Sequence, residues 1–346
     1  MKGIYSILVV VLILNVQFVK AQDVHFSQFT QTPLLINPGA TGVFGGSFRG
    51  GINYRTQWNA FGNGFKTYAA SFDAPITKKN RKGSFVGLGA NFYKDVAGKS
   101  NFGNLQIGVS SAAVLAVAKN HTLSLGIQAA YGQYSASLSN LSWGNQFDGL
   151  GFDTQINSNE NFALISSRYL DLSSGIYYEF KNASSSFLGS EMSSLNIGIA
   201  GYHLNQPKQR FLNDTEDVLP IKIVTQLAGT FDLPNSKLAF VPSLFFAKQR
   251  SFKETTAGFL VKVKMGKDAT KYSGLFKQGA LYLGSHYRFN DAIIPQVYLE
   301  FSDYMVGISY DYNTSNLSSV TGGNGGLEIS IRYVNRPKGL QRSSFK

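Results

Sequence analysis

The chain contains no cysteine, so no disulfide holds it and its stability must come from packing or from hydrogen-bonded closure. Charge is scarce: 15% of residues are Asp, Glu, Lys or Arg, against ~25% in a typical soluble domain. Proline is rare at 9 residues and tryptophan rarer at 2. The four histidines, His25, His121, His203 and His286, are scattered, with no spacing that puts two on one strand face. A metal site needs clustered ligands, so neither a metal nor another cofactor is expected. After residue 21 no apolar run approaches the ~18 residues that mark a transmembrane helix.

What remains is glycine, serine and aromatics: 36 Gly, 27 Phe and 18 Tyr in 346 residues. Low charge with many Gly, Ser, Tyr and Phe is what strands need when they face lipid on one side and a lumen on the other. A secreted β-sandwich or adhesin is the soluble alternative for the same composition. The formal charge is +12, with lysines and arginines concentrated in turns such as Lys78–Lys82. In an exported chain such a balance points to lipopolysaccharide phosphates or an acidic protein partner rather than to nucleic acid.

Residues 1–21 have the layout of a secretory signal peptide. Met1-Lys2-Gly3 is a short positive start, Ile4–Phe18 an apolar run of roughly 15 residues, and Val19-Lys20-Ala21 a small-residue cleavage site before Gln22. The run is shorter than the ~20 residues of a spanning helix. Residues 22–46 show helix-like spacing only briefly and end in the turn formers Asn37-Pro38-Gly39 and Gly45-Gly46. This N-terminal segment is expected either to fill a lumen or to lie beneath it in the periplasm. The apolar residues Phe26, Phe29, Leu34, Leu35 and Ile36 argue against full disorder.

From residue 47 to 346 strict alternation dominates. Phe48, Ile52 and Tyr54 fall on one face and Arg49, Asn53 and Arg55 on the other, as side chains alternate across a strand. About fourteen such spans can be drawn, good to ±2–4 residues: 47–57, 65–73, 84–94, 102–116, 121–135, 169–180, 193–204, 221–231, 236–248, 252–265, 278–289, 292–301, 303–312 and 327–335. Many reach the ~10 residues of a tilted membrane-spanning strand, against ~5–6 in soluble sheets. Pro295 counts against the twelfth span.

The expectation is an all-β, up-and-down antiparallel transmembrane barrel of about fourteen strands in the outer membrane. Its long outer loops would include 136–168, 205–220 and 313–326, whereas 181–192 and 266–277 are longer than periplasmic turns should be. Aromatics near strand ends, among them Tyr93, Phe245, Tyr287, Tyr310 and Tyr333, suit two interfacial girdles.

No catalytic constellation emerges, and the chain reads as a non-enzyme. A barrel hydrolase would need a nucleophile beside a histidine, and the pair His203 with Asp214 has no spacing to support it. Alternation puts Arg49 and Arg55 toward the lumen, where ionisable groups need partners. Asp73, Asp311 and Glu328 are the carboxylates expected to pair with them. The other role open to these arginines is to hold a plug or partner segment. Trp58 and Phe61 follow the first strand, and Trp143, Phe147 and Phe152 sit in the long 136–168 segment. Exposed aromatics in a polar loop suit a partner-binding surface; they could equally fold inward and close the pore. Gly322–Gly326 is a flexible turn, with no Lys-Ser or Lys-Thr after it to make a phosphate loop.

The two ends of the mature chain resemble the PorP/SprF family of Bacteroidetes outer-membrane proteins. The matching residues begin with Gln22-Asp23, His25-Phe26-Ser27-Gln28-Phe29, Pro33-Leu34 and Ile36-Asn37-Pro38-Gly39. They continue through Thr41-Gly42, Arg49, Tyr54–Trp58 and Ser71–Pro75, and return at Gly307–Asn313 and Gly326–Tyr333. Gly39 stands where most members carry Ala. The resemblance implies a role in type IX secretion. Its partners would be secreted cargo with a C-terminal sorting domain, such as a gliding adhesin held at the surface, and translocon or periplasmic components. Outer-membrane lipid and lipopolysaccharide would surround it. A passive porin or solute channel is the alternative from a different functional class.

Overall fold

A computed structural model describes residues 25–57, 64–76, 83–137, 141–153, 155–159, 165–186, 189–210, 216–265, 279–315, 318 and 322–336. The proposed signal peptide, Trp58, Phe61, Asp214 and the Lys78–Lys82 run lie outside those residues.

The strands run in chain order as β1 (Phe48–Gln57), β2 (Phe65–Pro75), β3 (Phe85–Ala97), β4 (Phe102–Ala118), β5 (His121–Ala136), β6 (Ile165–Ser186) and β7 (Gly189–Tyr202). A small hairpin follows, β8 (Lys208–Arg210) with β9 (Glu216–Val218). Then come β10 (Lys222–Asp232), β11 (Leu238–Gln249), β12 (Phe252–Met265), β13 (Gly279–Arg288), β14 (Ala292–Phe301), β15 (Tyr304–Asn313) and β16 (Asn324–Asn335). All except the small hairpin form one closed antiparallel barrel of 14 strands, sealed by β1 against β16. Closure leaves no sheet edge with unpaired backbone groups, the condition for crossing lipid with strands.

The alternation decides what faces where. Ile52, Phe72, Leu88, Val109, Ile127, Leu172, Ile199 and Ile223 are exposed on the outer wall. Arg49, Asn53, Arg55, Asp73, Asn91, Asn104, Gln106, Gln128 and Glu328 are buried inside. Apolar-out, polar-in is the inverse of a soluble sandwich and fits a lipid-facing wall. No helix among the described residues is long and apolar enough to cross a membrane.

For orientation, the base is the end where β1 begins and the mouth is the opposite end. Several tight turns use asparagine in the left-handed region, Asn120 (φ 70°) and Asn235 (φ 53°) at the base and Asn290 (φ 60°) at the mouth, a conformation asparagine tolerates better than most residues. The stretch 181–192, too long for a base turn, is mostly strand: β6 and β7 pair as far as Ser186 and Gly189. Pro295 does not break β14. It pairs with Ser285 of β13, while the ladder to β15 skips from Ile293 to Gln296, which accommodates a residue with no N–H to donate. The 205–220 loop carries the β8–β9 hairpin.

The aromatic girdles are real but exclude two expected members. Phe48, Phe72 and Tyr333 cluster near the base, and Tyr287 with Phe289 near the mouth. Tyr93 and Phe245 instead face inward and are buried, because each falls on the inward parity of its strand. They pack against the N-terminal segment, Tyr93 beside Phe26 and Phe245 beside Phe29.

Candidate functional site

Residues 25–46 run through the lumen from mouth to base. The path is built from short pieces: 3-10 turns at Phe29–Gln31 and Pro38–Ala40 flank a single helical turn at Pro33–Ile36. Proline opens two of these pieces, where its missing N–H costs nothing. Asn37 accepts from the Gly39 N–H at 2.8 Å, a side-chain cap for the next turn.

At the mouth end the segment is gripped by charge. Ser27 N–H and Gln28 N–H donate to the two oxygens of Glu328 at 2.7 and 3.2 Å. The Ser27 hydroxyl donates to Asp311 at 2.6 Å and accepts from Arg288 at 2.7 Å. Arg55 donates to Asp311 at 2.9 Å and to the His25 carbonyl. Arg288 also reaches Asp311 at 3.0 Å, Asp291 at 3.0 Å and Glu254 at 3.4 Å. Gln28 ties to Ser309, Ser330 and the Glu328 carbonyl. Arg55 and Glu328 are only 2% and 1% exposed, and buried charges persist only when paired and hydrogen-bonded.

At the base end a second clamp repeats the logic. Arg49 holds Asp73 with two bonds, at 2.9 and 2.7 Å. Asp73 accepts from the Gly42 N–H at 2.8 Å, and Arg49 donates to the Ala40 carbonyl at 3.2 Å. Between the clamps Asn37 donates to the carbonyls of Ile176 and Ile199, and Thr41 to Ser110. The wall gives way to the segment at glycines. A Cβ on Gly126 would collide with the Pro38 carbonyl, and one on Gly175 with the Asn37 side chain. Phe26, Phe29, Ile36 and Val43 anchor buried apolar clusters against the wall.

The five charged residues read from the sequence therefore sit in these two clamps: Arg49 with Asp73, and Arg55 with Asp311 and Glu328. Reading by strand missed Arg288 and Glu254. Their inward parity was visible, but nothing local tied them to Arg55. Ser27 and Gln28, the residues that join the segment to the network, look like ordinary polar residues in sequence.

The 141–159 segment behaves differently. Phe147 and Phe152 bridge as a minimal hairpin with rings 5.4 Å apart. Asp148 closes the turn by accepting from the N–H groups of Leu150 and Gly151, both at 2.8 Å. Those two bonds hold its carboxyl below the usual carboxylate range. The tip is apolar and open: Phe147 is 51%, Phe152 58% and Leu150 99% exposed. Trp143 lies at the foot, its backbone N–H donating to Gln146 Oε1 at 3.0 Å. Phe147 and Phe152 thus stand open to the outside, while Trp143 is half-buried.

Two histidine pairs lie inside the wall. His203 Nδ1 is 2.9 Å from Asp171. Ser243 Oγ lies 2.6 Å from His286 Nε2, yet among the described residues His286 Nδ1 has no hydrogen-bond partner and its ring packs edge-on against Phe29. A serine–histidine pair without an orienting third group lacks the relay that activates a nucleophile. Among the described residues no three His, Cys, Asp or Glu gather as a metal site would require.

The family model described as "Type IX secretion system membrane protein PorP/SprF" matches residues 18–333. No curated protein sequence matches the chain. Among solved structures, the toluene transporter TbuX of Ralstonia pickettii aligns over 88% of this chain and 93% of its own, at 9% identity and a TM-score of 0.45. BamA of Haemophilus ducreyi lacking POTRA domains 1-3 aligns over 84% and 70%, at 12% identity and 0.41. The translocator domain of the autotransporter NalP from Neisseria meningitidis aligns over 84% and 90%, at 9% and 0.40. At these scores the three likenesses carry no inference about this chain.

Proposed function

The chain belongs to the PorP/SprF family of type IX secretion system membrane proteins, and from that membership we propose that it is a non-enzymatic outer-membrane barrel that binds an exported surface protein and helps to export or anchor it. The cargo would carry a C-terminal sorting domain, as a gliding adhesin does. The observation that carries the reading is the filled lumen: residues 25–46 are clamped at both ends by buried ion pairs. A passive porin keeps a water-filled lumen, whereas a holder needs a rigid wall on which to present a binding surface.

In this reading the base faces the periplasm and the mouth the cell exterior, as the placement of the longest loops favours. The tip Phe147, Leu150 and Phe152, with Trp143 at its foot, would be the partner-binding surface, since rigid exposed aromatic and aliphatic groups make effective anchors. Trp58 and Phe61, which follow β1 at the same end, would extend it. Residues 25–46 would act as a permanent plug rather than as a periplasmic tail.

The test is a pull-down of the tagged chain from outer membranes, paired with conductance in planar bilayers. Co-purification of a large surface protein or a translocon subunit, with little conductance, is the expected result. Recovery of neither, together with steady porin-like conductance, would overturn the reading in favour of a passive channel.

A further inference from the structure

Beneath the N-terminal segment, in the base half of the lumen, lies a cavity of about 280 Å³ between Phe29–Gln31 and the inner wall of β6, β7 and β10–β16. That is near the lower end of the ~300–1,000 Å³ typical of small-molecule sites. Its wall is mixed. Leu260, Tyr282 and Met305 supply apolar surface, and Arg332, Gln31 and Asn196 supply polar groups.

The polar groups are unusual in being unsatisfied. The buried lumen arginines each hold a carboxylate: Arg49 has Asp73, Arg55 has Asp311, and Arg288 has Asp311. Among the described residues Arg332 donates to the Met305 sulfur, at 3.2 Å, and meets Glu300 at longer range. The acid on β14, Glu300, is already taken by Lys262 at 3.3 Å, Arg336 at 3.3 Å and the Tyr282 hydroxyl at 2.6 Å. Gln31 is 6% exposed, and its Oε1 has no donor. Asn196 Oδ1 has none either. A guanidinium with no hydrogen-bonded carboxylate and two amide oxygens with no donor among the described residues are each costly to enclose.

We propose that this cavity is a binding site for a small amphipathic carboxylate. Its carboxylate meets Arg332, as guanidinium groups pair with carboxylates in a fork. A neighbouring N–H meets Gln31 and Asn196, and an apolar side chain lies on Leu260, Tyr282 and Met305. One unit carrying all three features is an N-acylated aromatic or aliphatic amino acid, either free or as the last residue of a polypeptide. Among the described residues Arg332 is the one charged side chain that lines the cavity, and its charge favours entry of an anion. The site is independent of the mouth surface and of whether that surface holds cargo.

The test is calorimetric titration of the full chain in lipid nanodiscs with N-acetyl-phenylalanine, its primary amide, and the tripeptide Ala-Ala-Phe. The acid should bind, and the amide should bind at least about tenfold more weakly, since charge-assisted pairing is lost. Arg332→Gln should reduce the acid to the level of the amide. Gln31→Met should weaken acid and amide alike and keep the preference between them, so the proposal stays testable if Arg332→Gln does not fold. A tripeptide tighter than the N-acetyl acid identifies a chain end as the natural ligand; an N-acetyl acid at least as tight identifies a free small acid. No saturable binding of either acid at millimolar concentration, or equal binding of acid and amide, would overturn the proposal.

Discussion

Gly42 offers a sharp test of whether the lumen segment is a clamped plug. It sits at φ +75°, and an added Cβ would lie 2.8 Å from the Gly87 Cα, closer than ordinary contact by more than half an ångström. Its N–H donates to Asp73 at 2.8 Å. Gly42→Ala therefore adds left-handed strain of about 1–2 kcal/mol and a backbone collision. Both β2 and β3 are held by ladders on each side, so the segment must yield, weakening a bond to a charged group worth about 1.5–3 kcal/mol. Because relaxation lets one loss relieve another, the expected total is about 2–4 kcal/mol, or roughly 30- to 700-fold in a local opening constant. Hydrogen exchange on the full chain in nanodiscs should show faster exchange across 37–46 with β2 and β3 unchanged. Gly45→Ala is the control: its Cβ would meet only the Lys181 ammonium at 3.7 Å, and exchange should stay at the wild-type rate. If Gly42→Ala leaves 37–46 protected, or if Gly45→Ala matches it, the clamp at Asp73 does not hold the segment.

Three further outcomes are expected. Asp311→Asn removes the carboxylate shared by Arg55, Arg288 and Ser27, and breaking such a buried pair should cost about 3–5 kcal/mol; denaturation that differs from wild type by less than about 1 kcal/mol would show that the network is not structural. Replacing Phe147, Leu150 and Phe152 by Ser should leave thermal stability of the barrel unchanged, since all three are exposed, yet reduce recovery of the surface partner in the pull-down; unchanged recovery would remove this tip from the binding surface. The Asp148 turn should be pH-sensitive with a defined sign. A lowered folded pKa means the stabilisation is fully present above the unfolded value of about 3.9 and lost as pH falls through the folded value. In a Trp58→Phe chain, emission from Trp143 should hold steady from pH 7 to about 4 and change only below that; a transition near pH 6 would contradict the assignment.

The strands were legible because their signal is local and long. Alternation over ten or more residues fixes which residues share a face, and the fourteen spans drawn from it correspond to the fourteen barrel strands, β6 and β7 proving longer than drawn. Parity also grouped Arg49, Asn53 and Arg55, all of which are buried. The motifs that carry the family resemblance include Ser27, Gln28, Asn37, Gly42, Arg49, Arg55, Asp311 and Glu328, and these same residues tie the segment to the wall. Resemblance thus pointed to the network without revealing that it was one.

Sequence alone determined the class of fold, the span of most strands and the face on which each side chain stands, because the two-residue period of a strand is set by local backbone geometry. Tertiary structure alone decided what those faces meet. Alternation puts Tyr93 and Phe245 on the inward face but does not say that they belong to a core, since that depends on whether anything occupies the lumen. It also does not join Ser27 to Asp311 across 284 residues or Arg55 to Asp311 across 256. Those contacts exist because β1 closes on β16, setting Arg55 opposite Glu328, and because residues 25–46 cross the space that closure creates. Closure is a property of the whole sheet, and no segment shorter than the barrel contains it.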